Sequence, residues 1–182
     1  SKVIGYLKDV FIPGFEKELI DRIGPFISLS LDNNVVHLTY PKSFDNRAIL
    51  PHVILEIGPL AEWTPHKRGT LLPYTAQFFP DQFKISESEV TVVTAERTFW
   101  EKATILHQEY NRPNDKSIPP RYSRHYYDLF KMSQTPILNS AISNKDLLYQ
   151  VIDFKERFYR APWSGLSEIK QGYLHLAPPK HR

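Results

Sequence analysis

Between Thr94 and Tyr110 the apolar residues of this chain return with the period of an α-helix. Phe99, Ala103, Leu106 and Tyr110 are three or four residues apart, so a helix carries them in one stripe and a strand does not. Thr94 suits an N-cap and Glu96 sits in the first turn, where a carboxylate complements the helix dipole. Lys102 falls at the edge of the stripe. A lysine there packs its stem and directs its ammonium along the rim of the core. A buried stripe needs a partner, and Arg121-Tyr122-Ser123-Arg124-His125-Tyr126-Tyr127-Asp128-Leu129 supplies one as a second helix, with Ser123 as a possible cap. A polar, Pro-containing loop joins the two, so Lys102 and Asp128 can meet at one site. On pattern alone two readings stand: a functional pair, or a packed lysine beside an ordinary Arg124–Asp128 surface pair.

The N-terminal half reads differently. Lys2 to Ile12 suggests a helix broken at Pro13-Gly14 and resumed from Phe15 to Ile23. Phe26 to Leu31 alternates apolar and polar, Asp32-Asn33-Asn34 is a turn, and Val35 to Tyr40 returns as the second strand of a hairpin. A polar loop follows, from Pro41 to Pro51. His52 to Gly58 is a third strand, apolar on both faces except at Glu56, which suggests a central position in the sheet. A carboxylate inside such a run is either solvated at the strand end or held by a metal or partner. Residues 59–89 read as a long excursion holding Trp63 and the basic patch His66-Lys67-Arg68, best placed at a solvated loop tip. Val90 to Val93 is a short strand entering the Thr94 helix, and Lys145 to Tyr159 is a helix. The expected fold is α+β: a small mixed or antiparallel sheet in residues 1–93, then a helical half in 94–182.

Composition excludes more than it selects. The 182 residues contain no cysteine, which rules out disulfides and thiolate zinc sites and suits a reducing cytoplasm. The seven histidines do not fall at metal-ligand spacing and read as surface or capping residues. No apolar run reaches the length of a membrane span. A net charge of +3 permits phosphate-bearing partners without requiring them. There is no Walker A loop, nucleophile elbow or dinucleotide fingerprint.

Two spaced motifs carry a resemblance. Glu96-Arg97-Thr98-Phe99-Trp100-Glu101-Lys102-Ala103-Thr104-Ile105-Leu106-His107, followed by Arg121-x-Ser123-Arg124-His125-Tyr126-Tyr127-Asp128-Leu129, resembles the AbiEii/AbiGii toxin family of nucleotidyltransferases. Phe154-Lys155-x-x-Phe158-Tyr159 and Gly172-Tyr173-Leu174-His175-Leu176-Ala177-Pro178 are similar to that family's closing helix and tail. The resemblance implies the remainder of a polymerase-β-type sheet, and transfer of a nucleotide from an NTP to an acceptor hydroxyl with release of pyrophosphate. It makes Lys102 and Asp128 the catalytic residues. Lys102 neutralises the triphosphate, and Asp128 orients Lys102 or acts as a base. Arg121 and Arg124 become nucleotide or acceptor contacts, and Glu56 a carboxylate of a Mg2+ site. It implies a toxin of a bacterial toxin–antitoxin or phage-defence pair, with an antitoxin protein as partner and RNA, tRNA included, as acceptor. The chain departs from the family in lacking a Gly-Ser turn followed by Asp-x-Asp, the segment that binds triphosphate and two Mg2+. The expectation is a C-terminal portion or remnant, inactive alone. The rival reading is a non-catalytic helical module that binds a partner protein or RNA.

Overall fold

The computed structural model describes residues 2–45, 50–57 and 64–178. The predicted strand end Gly58, part of the polar loop, and Trp63 lie outside these residues. The fold is α+β, with two small antiparallel sheets and a helical C-terminal half. The chain divides into two compact units, Ser1–Ala61 and Glu62–Arg182.

In the first unit, helix α1 (Lys2–Tyr6) runs through a π-helical turn (Leu7–Phe11) into α2 (Ile12–Ile23). The break expected at Pro13-Gly14 does not occur. The amide of Ile12 bonds the carbonyl of Leu7, one residue further back than in an α-helix, so the register has already shifted where Pro13 begins α2. A proline in a first helical turn loses no needed donor. Strands β1 (Ser28–Asp32), β2 (Val35–Thr39) and β3 (His52–Glu56) pair antiparallel in that order. Asp32 opposes Val35 across a two-residue turn, with Asn33 at φ 55°, a left-handed conformation that asparagine tolerates. The predicted hairpin and three-stranded sheet are present. The central placement of the third strand is corrected. β3 is at the sheet edge, and Val53, Ile54 and Leu55 are exposed among the described residues. Apolar character on both faces says that a strand tolerates cover on both, not that it has it.

In the second unit, β4 (His66–Leu71) pairs antiparallel with β5 (Ser88–Val93). The basic patch expected at a loop tip is therefore the start of a strand. His66 opposes Val93 and Arg68 opposes Thr91, and Arg68 forms an exposed ion pair with Glu89 at 3.2 Å. Polar residues on a strand with little burial leave no apolar alternation to find.

Five helices follow: α3 (Ala95–Tyr110), α4 (Ser123–Ser133), α5 (Ile137–Ser143), α6 (Lys145–Phe158) and α7 (Leu166–Ile169). α3 lies at the centre of the core, which gathers Phe99, Trp100, Ala103 and Leu106 with Leu129, Ala141, Leu147, Leu148, Val151, Ile152, Leu166 and Ile169. Trp100 stands edge-on to Phe99, and its indole N–H donates to the carbonyl of Ala141 at 3.2 Å. That contact fixes α5, a helix the sequence pattern did not announce because it is short and begins directly after Pro136. Asn144 caps α6 through its side chain, accepting from the amide of Leu147 at 3.2 Å. The caps expected of Thr94 and Ser123 are not made. Thr94 is at the N-cap of α3 with its hydroxyl buried and unbonded, and Ser123 is already inside α4. No helix among the described residues is long and apolar enough to cross a membrane.

Candidate active site

The structure brings Lys102 and Asp128 together. Lys102 lies on α3 at the edge of the buried stripe, and α4 packs beside it through Leu129. The ammonium Nζ of Lys102 donates to Oδ2 of Asp128 at 2.7 Å. The lysine side chain is 21% exposed and the aspartate 39%, so the pair sits on the rim of the core, open to a ligand. The hydrogen bond from Lys102 holds the Asp128 carboxyl below its usual range, and the charges of Lys102, His125 and Arg124 act in the same direction. A carboxylate so committed is a weak base. Its structural effect is to point the ammonium along a fixed direction.

Two cations meet at Glu101, Lys155 of α6 and Arg97 of α3 itself. Lys155 of α6 donates to the backbone carbonyl of Glu101, the residue before Lys102, at 3.1 Å. No carboxylate among the described residues comes within salt-bridge reach of Lys155. Its pKa is lowered to about 8, chiefly by burial, with Glu101 opposing the change and Arg97 adding to it. Arg97, one turn before Glu101 on α3, is fully buried. It donates from Nε to Glu101 Oε1 at 2.9 Å and from Nη1 to the carbonyl of Thr64 at 2.5 Å, with its guanidinium 5.9 Å from the Phe154 ring centre. A fully buried guanidinium needs such partners.

His125 lies three residues before Asp128, one helical turn away on α4. It is 8% exposed, its ring stands edge-on to Tyr122 at 5.0 Å, and its Nδ1 is buried without a hydrogen-bond partner. Burial, then Lys102 and Arg124, push its pKa down. The reading of all histidines as surface or capping residues is thereby corrected here and at His107, which is fully buried. The Nδ1 of His107 accepts from the amide of His175 at 3.1 Å, so its Nε2 carries the proton and donates to the carbonyl of Gly165 at 2.8 Å. Gly165 holds φ +65°, and a Cβ there would lie 2.3 Å from the Asn111 amide. His107 thus ties the segment after α7 to α3. Neither histidine has metal-ligand spacing. The i, i+3 relation of His125 to Asp128 could have drawn notice, and so could Lys155 inside the Phe-Lys-x-x-Phe segment.

Of the remaining candidates, Arg124 acts on the bridge by charge, through Asp128. Arg124 is exposed on the first turn of α4. Arg121 precedes the helix at φ 64°, a left-handed conformation uncommon for a residue other than glycine, and its carbonyl accepts the amide of Arg124. Glu56 is the last residue of β3, exposed and opposite Val35 in the first unit. Mg2+ requires several oxygen ligands in near-octahedral array. No group of three or more metal-ligating side chains occurs among the described residues. Glu56 alone does not fit the ion.

Comparison with known families places the chain among the nucleotidyl transferase toxins. The sequence profile of the AbiEii nucleotidyl transferase toxin of type IV toxin–antitoxin systems matches residues 2–179, and the chain belongs to that family. No curated protein and no solved structure matches it.

Proposed function

We propose that Lys102 and Asp128 are the catalytic pair of a nucleotidyltransferase toxin that moves a nucleotide from an NTP to an acceptor hydroxyl, with RNA as the acceptor class. The observation that carries this reading is the rim-exposed bridge at 2.7 Å, in which a carboxylate orients a lysine without withdrawing it from solvent. In the transfer, the acceptor oxygen bonds the α-phosphorus as the bond to the β-phosphate oxygen breaks. Pyrophosphate leaves, and the hydroxyl proton passes to solvent or a neighbouring base. Lys102 lowers the barrier by offsetting negative charge on the phosphates, an effect that grows where the site is part-shielded from water. Arg124 and Arg121 supply further positive charge for phosphates of the nucleotide or acceptor. Glu56 would supply no more than one ligand to a Mg2+ ion, and an antitoxin protein is the expected partner.

The test is nucleotide binding and transfer. Lys102→Ala and Asp128→Ala should each lose transfer in a polypeptide that also carries the Gly-Ser and Asp-x-Asp segments, while the melting temperature stays within a few degrees. The 182-residue chain by itself should incorporate no labelled nucleotide with any NTP and Mg2+. Metal-dependent incorporation by this chain would show that other carboxylates hold the metal. A second reading, an interaction module without chemistry, is favoured by one observation. Leu71, Leu72, Tyr74, Phe78, Phe79 and Ile85 are all exposed within one stretch of the second unit. Retention of partner binding with no transfer in any context would support it.

A further inference from the structure

We propose that His125 is a ligand-binding residue of the Lys102–Asp128 site, presenting an uncharged Nε2–H donor to a phosphate oxygen. This rests on the reading of that site as the place where polyphosphate binds. The imidazole has two nitrogens in unlike surroundings. Nδ1 is sealed from solvent and has no hydrogen-bond partner. Nε2 makes no hydrogen bond among the described residues and is not sealed. A proton on Nδ1 would be a buried donor without an acceptor, which is expensive; a bare lone pair there is less so. The neutral tautomer therefore keeps its proton on Nε2, the nitrogen that is not sealed.

The charges around the ring agree with this. Lys102 on α3, Arg124 on α4 and Lys155 on α6 are the cations bearing on it, and Asp128 on α4 is the one carboxylate. A second proton would enter a mostly positive surround and would have to occupy Nδ1. Burial pushes the pKa in that same direction. The edge-on contact with Tyr122 holds the ring plane. His125 and Asp128 are one turn apart on one face of α4, so the imidazole lies on the same side of that helix as the carboxylate that orients Lys102. A donor without charge between cations suits a group that only accepts, and phosphate oxygens are such acceptors. It does not suit a general base, which would need its lone pair on Nε2.

The experiment uses the full chain with 15N-labelled histidine and inorganic tripolyphosphate as the probe. Long-range proton–nitrogen spectra near pH 7.5 should show His125 as the Nε2–H tautomer. His125→Ala should weaken tripolyphosphate binding about tenfold or more, the effect of one hydrogen bond to a charged group. His125→Gln, whose amide nitrogen reaches the Nε2 position, should restore most of the affinity, and His125→Asn should not. The Nδ1–H tautomer, or Ala and Gln variants that bind alike while Lys102→Ala is weakened, would overturn the role of His125 alone. Binding unaffected by Lys102→Ala, or no binding by the wild-type chain, would overturn the reading of the site itself. The tautomer is read in the unmutated protein, so loss of folding in a variant does not spare the proposal.

Discussion

Asp128 gives up basicity to hold a lysine, and that exchange sets its pH behaviour. Its folded pKa is depressed, chiefly by the Lys102 hydrogen bond. The bridge's contribution to stability is therefore present above the usual carboxylate range and is lost as pH falls through the depressed value. The pair is part-exposed, so a double-mutant cycle with Lys102→Ala and Asp128→Ala should give a coupling of about 0.2–1 kcal/mol by urea unfolding. Arg97 is the contrasting case. Arg97→Ala strands the Thr64 carbonyl and leaves Glu101 without its partner, and should destabilise by about 3–5 kcal/mol in the same assay. Lys155 also has a depressed pKa, but there it is the charged form that the fold disfavours. Its pKa is lowered to about 8, so the unfolded chain binds more protons and stability rises as pH rises from about 8 towards the ordinary lysine value. Lys155→Met should flatten that alkaline limb without lowering the melting temperature. Sequence made Lys102 and Asp128 visible because each sits at a defined place in a periodic pattern and in a spaced motif. Arg97 was not visible, because a charged residue one turn from a helix start reads as solvated until a carbonyl from another segment is seen to meet it.

Helices and strands differ in how much of themselves they declare. The stripe on α3 was legible, and Leu106→Ala, fully inside it, should cost about 2–5 kcal/mol. Tyr110 is 37% exposed and Tyr110→Ala should cost clearly less. β4 was illegible because its outward residues are polar and its pairing partner lies beyond a long connection. The segment after α7 was seen as a closing element but not how it closes. Leu174 and Leu176 pack on the core, Tyr110 stacks on His175 at 4.1 Å, and His107 joins the two. The pKa of His107 is lowered, mainly by burial. Its neutral form supports the fold, so stability should fall as pH drops below about 6.5, the free histidine value, until the folded pKa is reached. Limited proteolysis across that range should cut near Tyr173 first at the acidic end, and His107→Gln should reduce the pH dependence. Gly165→Ala should release the same segment at neutral pH.

The two units of the molecule are unequal in core. The buried apolar residues described in the first are Leu7, Ile27 and Val36, whereas twelve make up the main cluster of the second. Small domains bury too little surface to be firmly stable. Residues 62–182 expressed alone should therefore melt cooperatively, and residues 1–61 alone should show a broad or absent transition by circular dichroism. The sequence revealed both kinds of element but not this imbalance, since amphipathic pattern says which side of an element wants cover and not how much it receives. The connection between α3 and α4 has a different consequence. Lys102 and Asp128 are 26 residues apart in sequence, yet their bridge is set by the packing of two helices. Residues 114–118 of that connection are exposed. The count of intervening residues is a property of the loop, free to drift by insertion and deletion, while the bridge stays fixed. Distant kin of this chain are better sought with two short anchored patterns and an elastic gap than with any constant spacing.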